Sequence, residues 1–334
     1  MTTVRSEDKA AKIREAYPSQ AASGDLTVAI VPDIAVPTAF DEVVKTPGLE
    51  VVLHTASPFH FRFCAPPHPH FQTNITNTPP ADPKELIDPA VIGTTSILRA
   101  IARSAPSVRR VVVTSSFAAI VNEATSSSGS TVFSEASWNP VTLEDATSNP
   151  ATAYRASKTL AERAAWDFVR DPASGAQFDL VTVNPPMVFG PVVHHLASLD
   201  NVNTSNARVV DALQGKWREE VPSTGAAIIW VDVRDVARAH VKAGLELPEA
   251  GGKRLFVTPG YFSNRELGQV LRRNFPEDAD KLPTEETKGG ELPAEADRFK
   301  VDNEATKALL GIDWISFETS IVDTARSLKK IGGL

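Results

Sequence analysis

The chain has 334 residues, 42% hydrophobic and 22% charged, an ordinary globular composition that excludes a wholly disordered protein. Its length gives a prior of about two domains and enough chain to bury a core without covalent staples. A net charge of −7 leaves no basic excess to neutralise phosphates, which argues against a nucleic-acid partner. The single cysteine, Cys64, rules out an internal disulfide framework and fits a reducing compartment. No apolar run reaches the roughly 18 residues of a membrane span, and the opening MTTVRSEDKAAK lacks the apolar core of a secretory signal. A cytoplasmic protein with no membrane partner is the expectation.

In chain order, short β-branched runs alternate with longer helical patterns, as in a parallel sheet covered by helices. Residues 6–17 read as a helix, with Ser6 to cap it and Glu7 and Asp8 at the positive end of its dipole. Strands follow at 26–31 (LTVAIV) and 50–54 (EVVLH), then a helix at 88–103 with apolar residues at helical spacing. Residues 108–114 (VRRVVVT) give another strand, 152–170 a helix striped by Leu160, Ala164 and Phe168, and 178–183 (FDLVTV) a further strand. The last third offers helices at 233–247, 264–274 and 317–330, a strand at 254–258, and a Pro/Gly/Glu-rich surface connection at 275–293. No internal repeat is visible.

Three segments carry chemistry. Tyr154 and Lys158 form Tyr-x-x-x-Lys within one helix, so both side chains share a face one turn apart. An ammonium held near a phenol favours the phenolate and makes tyrosine a proton donor–acceptor near neutral pH. The spacing alone is a weak signal, but Thr114-Ser115-Ser116 ends an apolar strand upstream, and carboxyl ends of parallel strands are where ligands sit. A serine hydroxyl there can hydrogen-bond a carbonyl oxygen. After the next strand, Asn184–Pro191 (NPPMVFGP) reads as a rigid turn that either packs on a flat cofactor ring or simply ends the strand.

These runs, AYRASKTLAERAAW, VVVTSSFAAI, VNPPMVFGP, NTSNARVV and WVDVRDVARAH, together closely resemble the extended short-chain dehydrogenase/reductases. The resemblance is strongest to the branch of fungal NADPH-dependent methylglyoxal and aldehyde/ketone reductases, related to dihydroflavonol and cinnamoyl-CoA reductases. It covers nearly the whole chain except residues 62–73 and is specific for the family, less so for a substrate. It implies a Rossmann-like doubly wound parallel sheet, an NADP-binding domain over 1–190, and a smaller substrate lobe, mainly 191–334, interleaved with it. It further implies NADPH as cofactor, no metal, and a small carbonyl compound as substrate. Residue by residue, it makes Ser116 the carbonyl-orienting residue, Tyr154 the general acid, and Lys158 its partner and a nicotinamide-ribose ligand. Arg5 and Lys9 match the basic pair for the adenosine 2′-phosphate, Asp33 and Ile34 the pair beside adenine, and Val188 and Ser205 contacts near nicotinamide and phosphates. Arginine at that strand end suits a 2′-phosphate where NAD-preferring folds place an acid. The competing reading of Arg5 and Lys9 is a solvated helix face.

The chain departs from the family pattern in two places. It opens where the family has its second strand, and none of its 18 glycines forms a pyrophosphate-cradling turn ahead of Leu26. Roughly thirty residues of strand, glycine turn and helix are thus expected before it on βαβ dimensions. The 334 residues alone are accordingly expected to bind NADPH weakly and to associate through unpaired strand edges. Residues 62–73 (RFCAPPHPHFQT) read as an insertion. His60, Cys64, His68 and His70 fit no tetrahedral zinc spacing, and His194 and His195 either line a substrate pocket or face solvent. Asn74 and Asn203 head glycosylation-like triplets without a secretory signal. Asp232 reads as a helix cap, and Trp138 and Trp230 as packing residues.

The reaction expected is carbonyl reduction, with Tyr154 protonating an oxygen held by Ser116. The rivals are a sugar epimerase/dehydratase or hydroxysteroid dehydrogenase of the same superfamily, and a non-catalytic remnant.

Overall fold

The computed structural model describes residues 1–57, 84–193, 196 and 198–334. The inserted-looking stretch 62–73, the His60/Cys64/His68/His70 group, Asn74, His194 and His195 lie outside the described residues. In chain order the elements are β1 (Thr2–Val4), α1 (Glu7–Ala16), α2 (Pro18–Ser23), β2 (Val28–Ile30), β3 (Val51–His54), α3 (Lys84–Ser104) and β4 (Arg110–Thr114). Then come β5 (Val132–Ser134), α4 (Pro150–Arg170), β6 (Asp179–Val183), β7 (Met187–Phe189), α5 (Thr204–Leu213), β8 (Glu220–Val221) and β9 (Ile229–Asp232). The chain closes with α6 (Val233–Val241), β10 (Arg254–Leu255), β11 (Gly260–Tyr261), α7 (Asn264–Asn274), β12 (Lys288–Gly289), β13 (Lys300–Asp302), α8 (Glu304–Leu310) and α9 (Phe317–Lys329).

Two compact units emerge, both discontinuous. The first comprises Met1–Ala119, Trp138–Thr182 and Ala243–Arg254. The second comprises Ile120–Ser137, Val183–Lys242 and Leu255–Leu334. The chain passes between the two units several times.

In the first unit a four-stranded sheet runs in the order β10-β6-β4-β3, with β3 parallel to β4 from Val51↔Arg110 to His54↔Val113. The inner strand β4 reads as an unbroken apolar run because both its faces are covered, with the Lys242–Glu246 turn against Val112. Val111, Val113 and Leu180 pack with Ile97, Ile101 and Trp166 from α3 and α4. A separate parallel ladder joins β1 to β2, Thr2↔Val28 to Val4↔Ile30, and among the described residues no ladder joins β1 to β3. Helix α1 forms as its opening residues dictate. Ser6 accepts from the Lys9 amide, and Glu7 and Asp8 pair with Arg14 and Lys12.

The second unit packs α5, α7 and α9 over a three-stranded sheet, β11-β9-β7, whose outer strands run antiparallel and parallel to β9. Its core is aromatic, with Trp230 edge-on to Phe317 at 4.9 Å and Phe189 to Phe262 at 5.1 Å.

Four expectations need correction. Residues 184–191 are not one turn, since Pro185 and Pro186 end β6 but Met187–Phe189 then pairs in register with Trp230–Asp232. Residues 254–258 stop being strand after Leu255, because side chains replace the ladder: Thr306 accepts from the Phe256 amide, and Asn303 donates to the carbonyls of Phe256 and Thr258. Helix 233–247 changes to a π-type turn over Lys242–Glu246, and Arg110 donates to the carbonyls of Ala243 and Leu247 at its end. The connection 275–293 is no mere surface loop, for Phe275 and Leu282 sit buried in the second unit's core.

Candidate active site

Helix α4 positions the tyrosine and lysine. Asn149 caps it by accepting from the Thr152 amide at 2.8 Å, Pro150 opens its first turn, and small buried residues at 153, 156 and 157 let it lie close along α3. Tyr154 and Lys158 therefore stand one turn apart, with Lys158 Nζ 5.9 Å from the phenol ring centroid. The same Nζ donates to Ser57 Oγ at 2.9 Å, a residue just beyond β3.

Ser116 follows the carboxyl end of β4, where its Oγ accepts from the Ala118 amide at 3.1 Å. The segment after it is clamped from several sides. The Ala118 carbonyl accepts from Asn139 Nδ2 at 2.9 Å and Thr159 Oγ1 at 3.4 Å, and the Ala119 carbonyl accepts from Arg254 at 3.3 Å. Thr159 neighbours Lys158 on α4, so the helix bearing the tyrosine and lysine is tied directly to the segment bearing the serine.

His54, which the sequence reading passed over, ends β3 within reach of the Lys158 charge. It is buried, edge-on to Phe40 at 5.7 Å, and its Nε2 has no hydrogen-bond partner among the described residues. Burial, reinforced by the positive charge of Lys158 and opposed by a hydrogen bond with the Gly93 backbone, lowers its pKa from 6.5 to about 4. The imidazole is neutral at physiological pH.

Arg5 and Lys9 flank the N-cap of α1, at the carboxyl end of β1. Both are exposed, and among the described residues neither carries an ion pair, although Lys12 and Arg14 on the same helix do. Asp33 and Ile34 follow β2. The Asp33 carboxylate accepts from the Ala35 amide at 2.8 Å, and Ile34 lies against α3 where Gly93 leaves room for it. Two uncommitted cations at a helix N-terminus fit an adenosine 2′-phosphate. An ammonium beside a phenol fits a ribose hydroxyl and an adjoining proton donor. Among the described residues no glycine turn stands ready for the pyrophosphate itself.

Val188 and Ser205 fall in the second unit, where they meet. The Val188 amide donates to Ser205 Oγ at 3.1 Å, and Asn203 Nδ2 donates to the Val188 carbonyl at 3.2 Å. Asp232 caps α6 as expected, accepting from the Arg234 amide at 2.8 Å. Trp138 does more than fill space, for the Arg254 guanidinium lies 3.8 Å from its ring centroid. Among the described residues no group of histidines, cysteines and acids is arranged to hold a metal, and no helix is long and apolar enough to cross a membrane.

Residues 10–257 match the NAD dependent epimerase/dehydratase family. A ketoreductase of Aspergillus niger is 39% identical over 98% of this chain and 89% of its own length. A putative NADPH-dependent methylglyoxal reductase of Candida albicans is 38% identical over 98% and 90%. Among solved structures, the yeast methylglyoxal/isovaleraldehyde reductase Gre2 complexed with NADPH superposes with a TM-score of 0.81. It is 33% identical, covering 98% of this chain and 90% of that one.

Proposed function

The chain belongs to the NAD dependent epimerase/dehydratase family, and we propose that within it the protein is an NADPH-dependent reductase of aldehydes or ketones. The observation that carries this reading is the Tyr154–Lys158 pair on α4, tied through Thr159 to the segment that holds Ser116. The likeness to ketone and methylglyoxal reductases over nearly the whole chain favours a small carbonyl substrate over a nucleotide sugar.

In this reading Arg5 and Lys9 hold the adenosine 2′-phosphate, and Asp33 and Ile34 border the adenine. Lys158, steadied by Ser57, takes a ribose hydroxyl. NADPH, when bound, supplies the hydride. Ser116 Oγ donates to the substrate carbonyl oxygen and holds it toward Tyr154, which delivers its phenolic proton to that oxygen as negative charge develops there. The ammonium of Lys158 stabilises the phenolate left behind. His54 adds no competing positive charge, because burial keeps it neutral.

The test is NADPH oxidation followed at 340 nm over a panel of aldehydes, α-dicarbonyls and aryl ketones, with sugar nucleotides as the contrasting set. Carbonyl-dependent oxidation is expected. Turnover of sugar nucleotides alone would replace this reading with an epimerase or dehydratase.

A further inference from the structure

One turn beyond Lys158 on the same face of α4, Glu162 is buried with its side chain wholly inaccessible. Donors from four residues converge on its carboxylate. Arg254 Nε donates at 2.6 Å, Thr182 Oγ1 at 3.1 Å and Trp166 Nε1 at 3.3 Å, and Ser115 Oγ donates to the other oxygen. Only an acceptor-only group answers this set, since a glutamine would turn two N–H groups toward donors. The donors come from the residue after β4, from β6, from β10 and from α4 itself, so one carboxylate ties three strands to the helix.

Ser115 and Ser116 are the two residues between the end of β4 and the turn at Phe117–Ala119, whose Ala118 amide donates to Ser116 Oγ. Anchoring the Ser115 hydroxyl to Glu162 therefore restrains the short stretch of backbone from which the Ser116 side chain projects. The same network reaches the far end of the segment, where Arg254 holds the Ala119 carbonyl. We propose that Glu162 is a positioning residue, which through Ser115 and Arg254 sets the orientation of Ser116 relative to Tyr154 and Lys158. This rests on the reading of Ser116 as the residue that orients a carbonyl, and the experiment separates the two.

Ser115→Ala removes the link on the Ser116 side, whereas Thr182→Val removes a donor to the same carboxylate from a strand that carries no serine. Both leave the Arg254 ion pair in place, so both are expected to fold. Hydrogen exchange at the amides of Ala118 and Ala119, which bond to Ser116 Oγ and to its carbonyl, reads the geometry without any turnover. Ser115→Ala is expected to speed that exchange at least tenfold and Thr182→Val less than twofold. In the active protein, Ser115→Ala is expected to lower kcat five- to thirtyfold with NADPH affinity within twofold, and Thr182→Val to keep kcat within twofold. Equal effects of the two substitutions on exchange would reduce Glu162 to a structural ion pair and overturn the proposal. Altered exchange in a protein that reduces no carbonyl would sustain the positioning and overturn the reductase reading instead.

Discussion

A phenol and an ammonium on adjacent turns of a helix are common on protein surfaces; what distinguishes Tyr154 and Lys158 is what they share with Ser116. Thr159, next to Lys158, shares its single hydroxyl proton between the Arg155 carbonyl at 2.8 Å and the Ala118 carbonyl at 3.4 Å, so the helix and the serine segment meet at one hydroxyl. Replacing Tyr154 by Phe deletes the transferable proton and keeps the ring. Turnover should fall at least tenfold, proton transfer being worth typically 10²–10⁴-fold, with NADPH affinity little changed. Steady-state kinetics beside fluorescence titration of NADPH decides it, and activity within threefold of the parent would remove Tyr154 from the proposed role. Arg5 poses a separate question. Charge-assisted hydrogen bonds contribute about 1.5–3 kcal/mol, so Arg5→Ala should weaken NADPH roughly tenfold or more while NADH changes less than twofold. Equal losses would return Arg5 to the solvated face of α1.

At the scale of elements, the carboxyl end of β3 holds a buried base that acid will find. His54 titrates near 6.5 when unfolded but near 4 in place, so between these values the unfolded chain binds the extra proton. Stability from this residue is therefore intact above pH 6.5 and is lost as the pH falls toward 4, in total about 3 kcal/mol. Urea unfolding from pH 7 to 4 should show a slope that His54→Gln flattens; parallel curves would mean that His54 is less sealed than its contacts indicate. A second element has a steric reason for its residue. Gly190, ending β7, has φ of +137°, and a Cβ there would come 2.6 Å from Val233 Cγ1. Backbone strain and overpacking together set the cost of Gly190→Ala at about 2–4 kcal/mol, measurable by chemical denaturation, and a loss under 1 kcal/mol would contradict the geometry. The helices were legible because caps and apolar stripes are local: Ser6 and Asp232 each cap the helix their position announces. Of the site, Tyr154, Lys158 and Ser116 were legible as spacing and as a strand end. Glu162 and His54 were not, because their meaning lies in partners far along the chain, such as Arg254 and Gly93. The failure at 256–258 has the same origin, since Asn303 and Thr306 displace a ladder that local β-propensity promises.

For the whole molecule, the consequence of the proposed function is a thermodynamic one. Each unit has its own buried core, and the residues assigned to the adenosine 2′-phosphate all belong to the first. A cofactor that binds the native state alone stabilises it by about 2.7 kcal/mol at a hundredfold excess over Kd. At roughly 2 °C per kcal/mol for a large chain, NADPH should raise the melting midpoint by about 5 °C. NADH at equal concentration lacks the 2′-phosphate, leaves Arg5 and Lys9 unused, and should raise it far less. The protein's own net charge of −7 sharpens the contrast. A ligand with additional negative charge is repelled at long range unless local cations offset that field, so added salt should weaken the NADPH-specific part of the shift by screening Arg5 and Lys9. Differential scanning fluorimetry with the two cofactors, at low and at 0.5 M salt, for the parent and for Arg5→Ala, gives the full comparison. The expected pattern is a large NADPH shift, shrinking with salt, that Arg5→Ala brings down to the NADH value. Identical shifts for both cofactors in the parent protein would refute the assignment of this end of the first unit to the 2′-phosphate, whatever the activity on carbonyl compounds.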